Sequence, residues 1–553
     1  MKSPTLTAGK PFDPKAWPLR ELTLPQALER QVRLRPGKTF LTELASGRSF
    51  SYAEIDSWST GLARALHAIG VARGSHLGVL MENSAEHVAL FFAIGKLGAV
   101  TVPVNTAARG ELLRYYFAHA ECKSVIVDAA LLPRLTEVVA QLPLLERVIV
   151  VGECDPSAVL HWTSLPALHS LDSLQKRKTA PLSGPAPECQ DMLMLAYTSG
   201  TTGPSKASML SHAAALTYGT GAAEAQRYTD WDVFYVCLPL FHNNALLASL
   251  CSALVAGASI ALSPRFSVSR FWSEVGSTGA TITNLLGAMT SFLWSAPPSK
   301  GDSDNRLRLV SMAPVPAYAR EFEQRFGLNV MSNYGLSDFG MGTSFTDRDP
   351  KEKLGSIGRP RRGMQARIAD DADFEVADGV PGEIQMRSDD PWRAATGYFR
   401  MAEATLTAHR NQWFHTGDRG YRDAEGYFWF VDRQKDCIRR RGENISAFEV
   451  EQILMRHPAV AQVAVFPVTT SNNDEEVAAA IVRHAGADIG FVQLVEHCRT
   501  NMAYFMVPRF LQFHDRLPTT ANQKVEKFRL KQELQRDLGK AWDREAAGVI
   551  VKR

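Results

Sequence analysis

The sequence is short of the features that mark several classes of protein. Its seven cysteines are scattered, odd in number and without a CxxC pair, which argues against a disulfide framework or a zinc cluster. They are Cys122, Cys154, Cys189, Cys237, Cys251, Cys437 and Cys498. No long run of lysine and arginine is present, and the formal net charge is only +3 over 553 residues, so we expect no nucleic-acid-binding face. An apolar stretch at 87–104 is interrupted by Lys96, and the first residues lack an apolar core of signal-peptide length. We therefore expect a cytoplasmic chain with no membrane insertion.

What is present is the composition of a large globular protein. The chain is 45% apolar and 22% charged, and its length predicts at least two domains. Apolar residues recur at helical spacing over 52–69, and the short apolar run at 76–81 predicts a buried strand. The alternation continues with helices near 84–96 and 110–118 and strands at 99–104, 124–127 and 148–151. This order predicts an α/β domain with several buried sheets and helices.

Beyond Asp436 the pattern becomes a compact alternation of shorter elements. We predict helices near 447–456 and 491–501, and strands at 462–468, 476–483 and 509–513. The charged segment 432–436 has no apolar periodicity, and a domain boundary is expected there. The sequence thus predicts a large α/β N-terminal domain at 1–434 and a small α+β C-terminal domain at 435–553.

The strongest local motif is the segment 197–206, YTSGTTGPSK, which directly follows a strand-like run at 192–196. Its hydroxyl groups can donate hydrogen bonds, its glycines let backbone N–H groups approach an anion, and Lys206 adds a positive charge. These properties suit a phosphate-binding loop, although the spacing is not that of a Walker A loop. From composition alone, a surface linker rich in serine, threonine and glycine explains the segment equally well.

Five ordered motifs resemble those of the adenylate-forming superfamily, which includes acyl-CoA synthetases, peptide-synthetase adenylation domains and firefly luciferase. They are the loop at 197–206, NYGLSD at 333–338 in place of the family's YGxTE, TGD at 416–418, a hinge region at 432–451, and LPTTANQK at 517–524. The segments 440–446 and 501–508 look most like the carnitine-CoA and crotonobetaine-CoA ligase subgroup. The resemblance implies an ATP-dependent acid:CoA ligase that forms an acyl-adenylate and pyrophosphate, then passes the acyl group to coenzyme A.

The resemblance also implies which residues hold the nucleotide. The β- and γ-phosphates of ATP would lie in the loop from Thr198 to Lys206, which includes Ser199, Gly200, Thr201, Thr202 and Gly203. Asn333 would bond the adenine edge, Tyr334 would stack on adenine with Gly335 beside it, Ser337 would reach the α-phosphate, and Asp338 would hold Mg²⁺. Asp418 would accept from the ribose hydroxyls, and Arg433 would fix the ribose or the phosphates.

Three lysines carry the chemistry that the resemblance implies. Lys524 would lie between the attacking carboxylate and the α-phosphate and stabilise the charge that shifts in the transition state, and Lys206 would act from the phosphate loop. Lys435 would be the hinge about which the small domain turns between the half-reactions. That turn would bring Gly442 to the channel for the pantetheine arm of coenzyme A, where a glycine leaves room beside the backbone.

The acid itself would bind in a pocket built from the segments 241–244, 284–289 and 312–314. Within them Phe241, His242, Asn284, Leu286 and Ala313 are the candidate contacts. Carnitine-like acids head the possibilities by resemblance, and medium-chain, aromatic and alicyclic acids remain open. A quaternary ammonium group would call for an aromatic cage or a carboxylate facing the pocket.

Each of these residues also has an ordinary structural explanation. Lys524 could be a solvated lysine on a terminal helix, Asp418 a turn aspartate before Arg419-Gly420, and Tyr334 a core aromatic at a strand end. Gly442 could merely form a turn before a helix capped near Ser446. A buried histidine bonded to backbone is an alternative for His242.

Three positions depart from the family pattern. Asp338 replaces a glutamate, and Ala207 and Gln523 stand where glycine is common, changes that could affect magnesium binding and slow adenylation. They leave room for a degenerate member that binds nucleotide or acyl-CoA with little turnover. A second alternative is an adenylating enzyme whose acceptor is not CoA. A homodimer is possible, since the sequence does not distinguish a dimer-forming helix from a surface helix.

Overall fold

A computed structural model describes residues 9–153, 166–177, 179–198, 204–316, 318–433, 437–470, 474–518 and 525–551. Among these residues, no helix has both the length and the apolar character needed to cross a bilayer. The helices, short 3₁₀ turns aside, are α1 (Leu24–Leu34), α2 (Tyr52–Ala68), α3 (Ala85–Lys96), α4 (Gly110–His119), α5 (Leu132–Thr136), α6 (Leu171–Gln175), α7 (His212–Ala225), the π-helix Asn244–Cys251, α8 (Ser252–Ala256), α9 (Val268–Thr278), α10 (Gly287–Trp294), α11 (Ala319–Phe326), α12 (Ala402–Ala408), α13 (Ala447–Met455), α14 (Phe491–Asn501) and α15 (Lys527–Arg536).

The strands of the described residues fall into five sheets. They are β1 (Thr39–Glu43), β2 (Ser49–Ser51), β3 (His76–Leu80), β4 (Val100–Pro103), β5 (Ser124–Asp128), β6 (Arg147–Val151), β7 (Ala167–Ser170), β8 (Met192–Thr198), β9 (Lys206–Ser211), β10 (Val233–Val236), β11 (Ser259–Leu262), β12 (Ile282–Leu286), β13 (Leu309–Ala313), β14 (Asn329–Leu336), β15 (Gly340–Phe345), β16 (Arg359–Pro360), β17 (Met364–Ala369), β18 (Gly382–Ser388), β19 (Phe414–Arg422), β20 (Phe428–Arg433), β21 (Cys437–Arg440), β22 (Glu443–Ser446), β23 (Val460–Thr469), β24 (Glu475–Arg483), β25 (Phe510–Phe513) and β26 (Trp542–Asp543).

Two large, mostly parallel sheets form the first part of the chain. One has the order β16-β15-β14-β13-β12-β10-β11-β1-β2, and the other has the order β7-β6-β5-β3-β4-β8-β9. Their central strands are apolar on both faces because helices such as α2 and α3 cover them, as expected of parallel sheets. Local sequence sets where those helices begin: Ser51 and Glu54 form a reciprocal capping box at the start of α2. Several of the candidate binding residues lie where these parallel strands end.

Three smaller sheets follow along the chain. β17 to β20 form an antiparallel sheet in sequence order, β21 and β22 form a hairpin, and β23 to β26 form a mixed sheet. α13 begins directly after β22, where the Ser446 hydroxyl accepts from the Glu449 backbone N–H at 3.3 Å. The predicted fold class, a large α/β part followed by a small α+β part, is confirmed. The exact division at 434/435 stays a prediction.

The last part of the chain packs closely on the first. A single cluster of buried apolar side chains joins residues such as Val104 and Phe117 to Ile445 and Val450. α4 lies against the end of α14, where a Cβ on Gly110 would stand 2.9 Å from the Thr500 carbonyl oxygen. The arrangement places the β21–β22 hairpin against the ends of β12 and β13.

Candidate active site

The ends of the predicted phosphate loop are brought together by the β8–β9 hairpin. Thr198 pairs with Lys206 across the two antiparallel strands. The loop residues Ser199, Gly200, Thr201, Thr202 and Gly203 lie outside the described residues. Ala207 is fully buried in β9. Because an extended strand accommodates any Cβ, alanine in place of glycine places no strain on the backbone here.

Tyr398 contacts both Lys206 and Asp338. The Lys206 Nζ lies 4.9 Å from the ring centre, and the Tyr398 hydroxyl donates to Asp338 Oδ2 at 2.7 Å. Burial, together with the Asp338 charge, raises the pKa of Tyr398 far above its usual value, so the phenol stays protonated and remains a donor. Asp338 is half-buried in the turn between β14 and β15. A carboxylate is an oxygen ligand of the kind that Mg²⁺ prefers, so the residues present fit a magnesium ion here.

Tyr334 and Asp418 are in direct contact. The Tyr334 hydroxyl donates to Asp418 Oδ2 at 2.8 Å, and the Asp418 backbone N–H donates to Thr416 Oγ1 at 3.0 Å. Asp418 lies within β19, paired through the backbone with Arg433 of β20, so the interpretation of Asp418 as a turn residue is wrong. Tyr334 is a core residue as well as a neighbour of Asp418, because it is only 9% exposed within an apolar cluster. The two motifs that resemble ribose and adenine contacts therefore converge.

The residues around Tyr334 are also fixed by their neighbours. Asn333 Nδ2 donates to Ser311 Oγ at 3.0 Å, and Asn333 Oδ1 accepts from Ser344 Oγ at 2.9 Å. A Cβ on Gly335 would stand 2.3 Å from the Gly340 carbonyl oxygen, so the tight β14–β15 pairing requires glycine. Ser337 lies half-buried beside Asp338. Their predicted contacts with the nucleotide stay predictions.

Asn284 and Ala313, two of the candidate acid contacts, line a small cavity of about 30 Å³, which we call the acyl cavity. The π-helix forms one wall, since Asn284 Nδ2 donates to Asn244 Oδ1 at 2.8 Å and to Ser249 Oγ at 3.0 Å. π-helical turns are frequent at functional sites. Further lining residues are Tyr218, Ala222, Tyr228, Asn333, Met341 and Arg361. The cavity lining is therefore mixed, with polar groups beside apolar ones.

The other candidate acid contacts meet the β21–β22 hairpin. His242 Nε2 lies 3.2 Å from Glu443 Oε2 with 43% of its side chain exposed, so the interpretation as a buried structural histidine is wrong. The Phe241 and His242 ring centres lie 4.6 Å apart. A Cβ on Gly442 would stand 2.8 Å from Leu286 Cδ1. The hairpin thus lies beside the ends of β12 and β13, strands whose residues line the acyl cavity, and we call this side of the cavity its mouth.

Two further contacts hold the hairpin region in place. Arg439 Nη2 donates to the Ala313 carbonyl oxygen at 3.2 Å. Glu449 of α13 accepts from the Ser205 backbone N–H at 2.9 Å and from the Ser205 hydroxyl. Burial raises the pKa of Glu449 to about 7. Ser205 directly follows the phosphate loop, so α13 is bonded to the loop's end in this arrangement.

Some predicted residues are not placed, and some contacts escape sequence reasoning. Lys435 and Lys524 lie outside the described residues, and Arg433 is described in its backbone alone. Tyr398, Glu449 and Arg361 were not predicted. Arg361 stands in the run RPRR at 359–362, which is typical of solvated surface charge, and no local pattern distinguishes a buried arginine from its exposed neighbours.

The profile of a family described as AMP-binding enzyme matches residues 28–399, and that of the AMP-binding enzyme C-terminal domain matches residues 449–524. The chain belongs to the AMP-binding enzyme family. Among curated relatives, the crotonobetaine/carnitine–CoA ligase of Salmonella paratyphi A is 29% identical over 493 residues, covering 88% of this chain and 93% of that protein. The predicted resemblance and enzyme class are therefore confirmed.

Solved structures agree with this AMP-binding enzyme assignment. The o-succinylbenzoate CoA synthetase of Bacillus subtilis, bound to a product analogue, aligns with a TM-score of 0.79 at 24% identity over 92% of this chain and 98% of that one, a likeness of fold. The anthranilate CoA ligase AuaEII, in complex with anthranoyl-AMP, aligns with a TM-score of 0.69 at 25% identity over 95% of this chain and 100% of that one.

Proposed function

We propose that this AMP-binding enzyme is an ATP-dependent acid:CoA ligase. In the first half-reaction a carboxylate oxygen attacks the α-phosphorus of ATP, and pyrophosphate leaves with the electrons of the broken P–O bond. In the second, the sulfur of CoA attacks the acyl carbonyl carbon, the thiol proton is lost, and AMP leaves. The products are acyl-CoA, AMP and pyrophosphate.

The position of the β21–β22 hairpin carries the proposal. Gly442 has φ +89° and packs against Leu286, and Glu443 and Arg439 contact residues beside the acyl cavity. Because glycine lets a ligand approach the backbone closely, the thin thiol arm of CoA would pass beside Gly442 on its way to the acyl carbonyl. This arrangement suits the thioester-forming half-reaction.

The adenylation half-reaction would use the convergent nucleotide residues. Asp418 and Tyr334 would fix the ribose and adenine, and Lys206 would lie near the phosphates. Asp338, held by Tyr398, would bind Mg²⁺, which supplies charge neutralisation at the phosphates when present. Lys524 would place its cation where the attacking and attacked anions meet.

Two further expectations form part of this proposal. A C-terminal domain at 435–553 would turn about Lys435 so that Lys524 and the hairpin occupy the site in alternation. We also propose a cytoplasmic location, where ATP and CoA are available and the free thiols of Cys122, Cys189, Cys237, Cys251 and Cys498 stay reduced.

The test is pyrophosphate release with ATP and Mg²⁺ over a panel of acids, with and without CoA. We expect release that depends on one class of acid, and a thioester only when CoA is added. Lys524→Ala should slow adenylation by about 100- to 1,000-fold while affecting thioester formation from supplied acyl-adenylate much less. Lys540→Ala, at an exposed lysine of the same C-terminal region, serves as the control. ATP binding without release from any acid would favour a degenerate binding protein.

A further inference from the structure

The acyl cavity contains a buried positive charge whose position the activity proposed above does not explain. Arg361 is only 8% exposed, lines the cavity, and is held in place by two hydrogen bonds. Its Nε donates to Ser344 Oγ at 2.5 Å and its Nη2 to Asn333 Oδ1 at 2.6 Å. Its buried Nη1 has no hydrogen-bond partner among the described residues. A buried donor left unpaired is costly, more so when the group is charged.

No acidic side chain compensates this guanidinium within the described part of the chain. Neither aspartate nor glutamate is among the described residues that line the acyl cavity, and no ion pair to Arg361 is formed there. Its neighbours differ: Arg359 pairs with Asp349 at 3.1 Å and Arg362 with Glu224 at 3.4 Å. Burial lowers the pKa of Arg361 to about 10, so at neutral pH the charge persists.

The other polar groups that line the cavity are already hydrogen-bonded, so a ligand would have to supply the partner for the Arg361 charge. The hydroxyls of Tyr218 and Tyr228 already donate, to the Leu336 carbonyl oxygen and to Gln226 Oε1. Asn284 is bonded to Asn244. The described lining of the cavity therefore offers an anion one charged donor without a hydrogen-bond partner, Arg361 Nη1. The amide side chains around it are already held by hydrogen bonds.

We propose that the acid this enzyme activates is a short dicarboxylic acid, whose second carboxylate binds Arg361 in the acyl cavity, at what we call its Arg361 end. The first carboxylate then faces the mouth, where Ala313 and the hairpin lie and where the reaction takes place. The cavity volume of about 30 Å³ requires a compact distal group, which a carboxylate provides. A guanidinium binds a carboxylate with two parallel charge-assisted hydrogen bonds, and Nη1 supplies a donor for one of them.

The same charge opposes a quaternary ammonium acid. A betaine would bring its trimethylammonium group next to Arg361, and no carboxylate of the described lining would compensate the two like charges. Specificity would follow from an attractive contact to one class of acid and a repulsive one to the other.

The inference rests on the proposed ligase activity, so its test uses the same assay with matched acids. Succinate, glutarate and adipate are each compared with the monocarboxylic acid of equal length, butyrate, valerate and hexanoate, and with carnitine and γ-butyrobetaine. Specificity is measured as kcat/KM for acyl-CoA formation in the wild type, Arg361→Met, Arg361→Lys and Arg362→Met. The last is the matched control, because Arg362 is an adjacent but exposed arginine. Thermal melting checks that each variant folds.

We expect the wild type to prefer one dicarboxylate over its matched monocarboxylate at least about 100-fold, as sites built to pair a substrate polar group do. Arg361→Met should lower that preference at least about 100-fold, Arg361→Lys should lower it less, and Arg362→Met should leave it in place. A wild type that makes thioester best from a monocarboxylate or a betaine overturns the inference while supporting the ligase. So does an Arg361→Met that slows both acids equally, which would make Arg361 a support for Asn333. Thioester from none of the acids counts against both proposals.

Discussion

The two ends of the acyl site are built in opposite ways. At the Arg361 end, Arg361 is buried, Asn333 and Asn284 are half-buried, and all three are held by hydrogen bonds to other side chains. At the mouth, the contacts join distant parts of the sequence, and the side chains of His242 and Glu443 are 43% and 20% exposed. A fixed end can select the acid, while a mouth made of separable contacts can admit and release the large cosubstrate. Under the proposed function, selection of the acid and transfer to CoA would then depend on different parts of the site.

The largest difference between the two ends is expected from a substitution at Gly442. Gly442→Ala would add a Cβ 2.8 Å from Leu286 Cδ1 at φ +89°, displacing the hairpin at the mouth and leaving the Arg361 end intact. We expect thioester formation to fall about 100-fold, the usual effect of a 1 Å misplacement, with a much smaller effect on adenylation. Single-turnover assays of each half-reaction measure the two effects.

The matched control for this change is Gly486→Ala. Gly486 has φ +79° but no atom within 4 Å of its added Cβ, so it reports backbone strain alone. If Gly442→Ala and Gly486→Ala behaved alike, the close approach at Leu286 would have no role in transfer.

A moderate effect is expected from the bond between Glu449 and Ser205. Burial raises the pKa of Glu449 to about 7 from the ordinary glutamate value of 4.5. Protonated Glu449 therefore favours the docked arrangement, in which α13 is bonded to Ser205. This contribution is fully present below pH 4.5 and is lost as pH rises through 7. From pH 6 to pH 8 the docking equilibrium should weaken about tenfold.

Glu449→Gln should remove that dependence, because glutamine keeps an acceptor for Ser205 and does not titrate. The measurement is the wild-type to variant ratio of thioester-forming rates across pH, which cancels the ionisation of the CoA thiol. Glu403→Gln, at an exposed site on α12, is the control. A ratio that stays flat from pH 6 to pH 8 would contradict the prediction.

The smallest effect is expected at the contact between Glu443 and His242. The two groups lie 3.2 Å apart and are partly exposed, and such pairs contribute about 0.2–1 kcal/mol. Glu443→Gln should therefore change the apparent KM for CoA by no more than about fivefold. A larger change would mean that Glu443 contacts CoA itself.

The sequence predicted elements whose pattern is local. The helix predicted over 52–69 is Tyr52–Ala68, the strand over 124–127 is Ser124–Asp128, and the helix over 491–501 is Phe491–Asn501. Apolar periodicity reflects burial directly, so such elements are recoverable from one sequence.

The acid site was predicted only in part, for a physical reason. Motif resemblance pointed to Asn284 and Ala313, which lie on the neighbouring strands β12 and β13 and line the acyl cavity. It missed Arg361 and Glu449, whose importance depends on burial and on hydrogen-bond partners 17 or more residues away along the chain. The charge of a pocket is a property of packing, and no local pattern carries it.

The buried apolar cluster that joins Val104 and Phe117 to Ile445 and Val450 has a thermal consequence. If the C-terminal part turns during the cycle, some of this surface meets water each time and is buried again. Exposure of apolar surface carries a positive heat-capacity change. Turnover should therefore follow a curved temperature dependence, with the closed arrangement losing apolar stabilisation on cooling.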